Sequence, residues 1–441
     1  MGERIPNARL RTLLKEAAWT GQDFARAVNT TGAETGVALR YDRTAVAHWL
    51  AGSRPSRTVT ALAAEALSRR LGRRISPDET GLTRSCADPT AEPPPDPAAA
   101  LAALADPART SVYVVTESRR LPATGAGPTP ASAALAASGT RHVGRDHIAA
   151  AEALLRSLSL ADDAFGGGHG RHALAGFLGT VVADWLRAPA APQIRHDLLV
   201  SASRLAYLAG FMCFDGCHHG LAQDYYRTAA ALAREAADPA GYAAALRGLS
   251  VQAYHLGHRA LAHDLAEAAA RHSPALAPAQ AAFVHGQLAV AHAGRGDRTA
   301  AFAALRTAGT HLERAGRDTD VVATYHAAAE AHQEAEVRTA LGDHRGAVSA
   351  LRTALRVRPA SERRARAVTT ARLAELLLGQ GSLDQACAAW RDFLDDYPHL
   401  QSGRLDAAAR TMRARLRPHR SSVAVRGMWG RVELAGAGRL R

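Results

Sequence analysis

The sequence predicts an all-α protein, and three observations carry that prediction. Alanine dominates the composition, aromatic residues make up only 5 % of it, and long stretches lack Val, Ile and Thr, the residues that favour strands. Small residues recur at fixed distances from a series of glycines, which is the mark of stacked helix pairs. Apolar residues near the N-terminus fall at helical spacing. At 441 residues the chain exceeds one ordinary core, so two or more domains are expected.

The repeats are the strongest signal. Gly257, Gly296, Gly342 and Gly381 lie 39, 46 and 39 residues apart. Five residues beyond each stands Ala262, Ala301, Ala347 or Ala386, nine beyond stands Ala266, Leu305, Leu351 or Trp390, and twelve beyond stands Ala269, Ala308, Ala354 or Phe393. Seventeen beyond come Pro274, Glu313, Pro359 and Pro398, and Cys217 opens a fifth register with Ala222, Tyr226 and Ala229. A glycine lets the chain reverse with positive φ, an alanine lets two helix axes approach, and a proline ends the second helix. Helix pairs are therefore predicted over residues 141–400.

These residues resemble the second half of the tetratricopeptide (TPR) pattern, Gly-x4-Ala-x3-large-x2-Ala-x4-Pro. The likeness covers about residues 200–400 and departs from the family in the first helices, where Ser250, Ala289, Ala335 and Ala374 keep the small position but the bulky ones are poorly kept. Spacings above the usual repeat length imply longer helices or loops. The resemblance implies an α-solenoid whose concave face holds a protein or peptide.

The first 84 residues read as a separate helical domain. Leu10, Leu13, Leu14 and Ala17 share one face of a helix over 7–18. Thr20 caps a second from Gly21 to Val28 with Phe24 and Ala25 inward, and Asp42 caps a third from Arg43 to Ala51 with Val46, Trp49 and Leu50 inward. A fourth covers Val59 to Leu71. The stretch from Asp42 to Pro55 resembles the recognition helix and exit loop of XRE/Cro-type helix-turn-helix domains. Mapped on that pattern, Arg43, Thr44, Ala47 and His48 face base edges of double-stranded DNA, while Arg40, Arg54 and Arg57 suit phosphates. The departure is the thirteen residues between Val28 and Asp42, where the family has a short turn.

Together, the block from Tyr41 to Leu71 and the repeats are similar to actinobacterial regulators that join such a domain to TPR repeats. That likeness implies control of development or secondary metabolism. Helix-turn-helix proteins commonly read paired half-sites, so a homodimer is an expectation.

Charge is unevenly placed. The net +13 divides into +6 over residues 1–84, +8 over 401–441 and −1 between them, so a polyanion would sit at the ends. Residues 401–441 read as a basic tail. Residues 85–140, with Pro89, Pro93, Pro94, Pro95 and Pro97, read as a semi-stiff linker that leaves the domains semi-independent, with Ser111 to Glu117 as a lone strand. No run approaches the ~20 apolar residues of a membrane span and no signal core opens the chain, so the expected location is the cytoplasm, without membrane contact. Four scattered cysteines make no disulfide framework.

Three motifs tempt and are set aside. Cys213-Phe-Asp-Gly-Cys217-His-His lacks the spacing and second ligand pair of a zinc site, so its thiols are read as packing. The glycine loop Phe165 to His172 could offer amides to an anion but lacks the Lys-Ser/Thr of a P-loop, so it is read as a bend. His326, Glu330 and His332 do not form an HExxH pair. With no nucleophile–base constellation, the expectation is a non-enzyme with no catalytic residue, cofactor or metal. The expected function is a DNA-binding transcriptional regulator whose repeats hold a protein or peptide, the alternative a non-DNA-binding adaptor that assembles a complex.

Overall fold

The computed structural model describes residues 5–83, 96–119, 142–315 and 325–437. Among them every regular element is helical.

The N-terminal domain packs α1 (Ala8–Glu16), α2 (Gly21–Ala33), α3 (Arg43–Leu50) and α4 (Arg57–Leu71) around Leu10, Phe24, Val28, Val46, Trp49 and Leu67. Its caps come from the sequence directly. Asn7 accepts from Leu10 N and donates to the Thr80 carbonyl, Thr20 and Asp23 form a reciprocal capping box, and Asp42 Oδ1 accepts from the amides of Thr44 and Ala45 at 2.9 and 3.0 Å. The second helix runs five residues past the predicted end at Val28. Thr30 and Thr31 turn their hydroxyls back onto the Arg26 and Ala27 carbonyls, so the polar run Asn29-Thr-Thr is compatible with helix rather than loop.

Five helix hairpins follow: α10 (Pro192–Asp215) with α11 (His219–Glu235), α12 (Pro239–His255) with α13 (Arg259–Ala270), α14 (Pro278–Gly294) with α15 (Arg298–Ala315), α16 (Ala327–Ala340) with α17 (His344–Val357), and α18 (Arg363–Gly379) with α19 (Leu383–Asp396). They stack in a solenoid-like array. The predicted registers fall on these hairpins one for one. Gly257, Gly296, Gly342 and Gly381 take φ of 88, 82, 80 and 77°, and Cys217 takes the same left-handed turn at 62°. Ala222, Ala262, Ala301, Ala347 and Ala386 are all fully buried where the two helices touch. Among the described residues the register with Glu313 in place of proline has the longest second helix of the five, α15.

Ahead of the hairpins, α7 (Arg145–Phe165), α8 (Gly167–Gly176), a π-helical turn (Phe177–Val182) and α9 (Ala183–Arg187) cover the first pair. The array then curls back on itself. Arg364 of α18 meets Asp162 and Asp163 of α7 at 3.0 and 3.2 Å, and the Gln401 backbone exchanges hydrogen bonds with Phe165 and Gly168. Only glycine fits at position 166, where φ is 88° and a Cβ would stand 2.7 Å from the Gln401 carbonyl oxygen.

Several expectations are corrected. The supposed basic tail is folded: α20 (Gly403–Leu416), α21 (Val423–Arg426) and α22 (Trp429–Ala437) bury Leu405, Met412, Leu416, Val425, Met428 and Val432 on the core of Trp390 and Phe393. Its charge hid an amphipathic pattern that caps the array. Part of the supposed linker is also folded, since α5 (Pro97–Leu104) buries Leu101 and Leu104 in the solenoid core; residues 84–95 and 120–141 lie outside the described residues. Ser111 to Val114 is extended without being a strand, because Val114 pairs with the Gln223 side chain through both its amide and its carbonyl; Val115–Arg119 is a short helix, α6. One helix, α10, is long and apolar enough to cross a membrane, contrary to the expectation of no such run, and 78 % of its apolar stretch is buried inside the fold.

Candidate nucleic-acid interface and the groove of the array

The helix with the predicted base-reading residues is held from three sides. Asp42 fixes its first turn, Val46 and Trp49 are buried beneath it, and Trp49 lies edge-on to Phe24 and Tyr41 at 6.0 and 5.0 Å. The long connection before it is clamped by one side chain. Asn29 Nδ2 donates to the Tyr41 carbonyl at 2.8 Å and its Oδ1 accepts from the Tyr41 amide at 2.9 Å. Residues 34–42 thus return to a fixed point beside α3.

With that anchorage, Arg40, Arg43, Thr44, Ala47, His48, Arg54 and Arg57 are all exposed. The four arginines make no ion pair among the described residues; Arg43 shares a face of α3 with Thr44, Ala47 and His48, and Arg40, Arg54 and Arg57 flank the helix in the chain. The arrangement combines fixed positive charge with hydrogen-bonding groups and a methyl on a single helical face.

The opposite side of the domain is docked on the array. Glu65 of α4 is buried and accepts from Arg69 Nε at 2.7 Å, while its Oε1 lies 2.9 Å from His258 Nε2 in the turn between α12 and α13. Arg69 also grips Glu34 with two bonds of 2.8 Å. Burial alone would lower the guanidinium, yet the two carboxylates hold it above its ordinary value; the same burial pushes Glu34 up. Tyr113, from the segment read as linker, stacks on His258 at 5.5 Å. The two domains are therefore joined by a buried ionic cluster, which corrects the expectation of semi-independence. Sequence reading missed it because Glu65 and Arg69, four apart on a helix, look like an ordinary surface pair.

The closed array surrounds a cavity of about 600 Å³, lined by the first helices of its pairs and by α20. Aromatic side chains Phe214, Tyr254, Phe283 and Tyr325 face it together with a set of arginines. Burial lowers His255 to about 3 and His332 to about 4, so both are neutral near pH 7.

The motifs set aside in the sequence have structural duties. Cys213 and Cys217 are pushed up to about 12 and about 11 by burial, so both stay thiols. The amides of the glycine loop are engaged, with Gly167 N bonding Asp215 and Gly168 N bonding the Gln401 carbonyl. His326 and His332 turn to different neighbours, Glu362 at 2.6 Å and Thr369 at 3.1 Å. Among the described residues no group of three or more His, Cys, Asp or Glu side chains is placed to hold a metal ion.

No curated protein matches the chain. A family model, that of the SP15 N-terminal domain, matches residues 10–83, the segment that folds as the four-helix domain. Over that segment, which carries the outward basic face, the chain is similar to the SP15 N-terminal domain.

Proposed function

We propose that the protein is a cytoplasmic transcriptional regulator that reads double-stranded DNA through the outward side of α3, as in XRE-type helix-turn-helix domains, and holds a protein or peptide in the groove of TPR-like repeats. The observation that carries the reading is a set of four exposed arginines, without an ion pair among the described residues, on and beside the helix that presents Thr44, Ala47 and His48 and is fixed by Asp42 and the Asn29 clamp. Guanidinium groups without protein counterions are free to displace condensed cations from phosphates, and Thr and His in their midst supply base-edge contacts. Docking of α4 leaves this face exposed, so DNA contact does not require the domains to separate. Two copies on paired half-sites would read an operator.

A second reading, an adaptor that binds no DNA, is favoured by residues 34–42, which are longer than the turn of the resembled family. Genome-wide occupancy of the tagged protein, beside an Arg43→Ala/His48→Ala variant, separates the two. Discrete peaks that vanish in the variant are expected; absence of peaks in both would leave the adaptor.

A further inference from the structure

Three arginines on the cavity wall are prepared for anions and have none. Arg247 lies over the Phe283 ring at 3.4 Å, Arg259 over Tyr254 at 3.6 Å and Arg404 over Phe214 at 5.0 Å. None has a carboxylate within 4.0 Å among the described residues, whereas the neighbouring arginines do: Arg372 takes Glu336 and Glu375, Arg358 takes Glu362, and Arg364 takes Asp162 and Asp163. The lining carboxylates Glu336 and Glu375 are thereby used up.

Stacking on a ring fixes the plane of a guanidinium; Arg247 Nε donates to the Phe283 carbonyl at 3.0 Å and Arg259 Nη1 to the Tyr254 carbonyl at 2.9 Å, which leaves their other N–H groups for a carboxylate. For Arg247 and Arg404, which are half-buried, a missing counterion is costly, and an arriving carboxylate recovers that cost through charge-assisted hydrogen bonds; Arg259 is exposed and adds charge without that cost. The aromatic rings offer apolar contact between the charges.

We infer that the cavity takes an acidic peptide segment, its carboxylates held by Arg247, Arg259 and Arg404 and its apolar side chains set against the aromatic wall. The inference rests on the proposed reading of the array as a partner-binding surface and adds the chemistry of the partner. Excess positive charge on the wall selects against basic segments.

The test begins with a random heptapeptide display library panned on the full-length chain. Selected sequences should be enriched in Asp and Glu at two or more positions, with an apolar residue nearby. Synthetic labelled peptides, followed by fluorescence anisotropy, should weaken about tenfold or more when their Glu residues become Gln, as loss of a charge-assisted bond requires. Arg247→Glu/Arg404→Glu should weaken binding at least as much, while Arg345→Glu, on an exposed residue outside the lining, should leave it unchanged. Melting by circular dichroism checks that the variants fold, and Arg404→Gln with a salt titration of the natural chain serves if the double variant does not. Neutral or basic winners, or affinity indifferent to the arginine variants, would overturn the inference and spare the peptide-binding reading; a library that yields no binder would overturn both.

Discussion

The two faces of the N-terminal domain hold the same kind of residue in opposite states. On α4, Arg69 is enclosed between Glu34 and Glu65. Around α3, Arg40, Arg43, Arg54 and Arg57 have no such partners among the described residues. Net charge makes no distinction between them, since all count equally toward the +6 of residues 1–84. Arginine paired in a buried interface has already spent its hydrogen-bonding capacity on structure, whereas the arginines around α3 retain theirs for a polyanion. The basic C-terminal segment resembles the outward face. Arg410, Arg413, Arg415, Arg417 and Arg420 are exposed around α20, so that surface too suits phosphates.

Breaking the docked face should have the largest effect. Glu65→Ala leaves Arg69 and His258 without the carboxylate between them, and removal of one member of a buried ionic cluster costs roughly 3–5 kcal/mol. Urea unfolding should show that loss, and small-angle scattering should show a larger radius as the domain leaves the array. On the outward face, Arg43→Ala should leave the fold intact and, under the proposed function, cost about 1–3 kcal/mol of discrimination at one base position, seen by comparing operator variants in binding assays. Arg57→Ala, a phosphate contact in the same reading, should weaken all sequences alike and lower the salt slope by about 1. An unchanged slope would place the polyanion elsewhere, with the C-terminal arginines next in line.

The seam of the array provides a third state, one arginine among too many carboxylates. Burial first, then Asp215 and Asp163, push Asp162 up to about 7 against the pull of Arg364. A carboxyl whose folded value lies above its unfolded one binds more protons when folded, so stability should fall as pH rises from about 4 toward 7 and stay low above it. Asp162→Asn, if it keeps the Arg364 contact, should flatten that part of a pH series of urea unfolding midpoints. The smallest effect is expected at Ala237, which is exposed with φ 54°. Glycine there should stabilise by about 0.5–1 kcal/mol, because the left-handed turn strains any Cβ, and thermal melting would register it.

Much of this was legible because it is local. Offsets from Gly257, Gly296, Gly342 and Gly381 located the hairpins, and Thr20 and Asp42 marked helix starts that the structure keeps. What escaped depends on contacts between distant residues. Nothing near Glu65 in the chain announces His258, 193 positions away, and nothing near Arg364 announces Asp162. Composition also misled: proline and alanine at 97–104 suggested a spacer, and arginine after 401 a loose tail, where an apolar stripe on a short helix decided the outcome. The arginines of the cavity were invisible as a set, because Arg247, Arg259 and Arg404 come from three different helices and meet only when the array curls.

That curl changes how the molecule should come apart. An open stack of hairpins unfolds piecemeal, each repeat answering only to its neighbours and the outermost fraying first. Here Arg364 Nε bonds the Asp162 carbonyl across 202 positions of chain, so neither end is outermost. Loss of any one hairpin opens the seam that the others rely upon, and the transition becomes cooperative over the whole array. The same long-range closure raises contact order and slows folding relative to an open stack of equal length. Proteases working from the ends would find no loose repeat to start on.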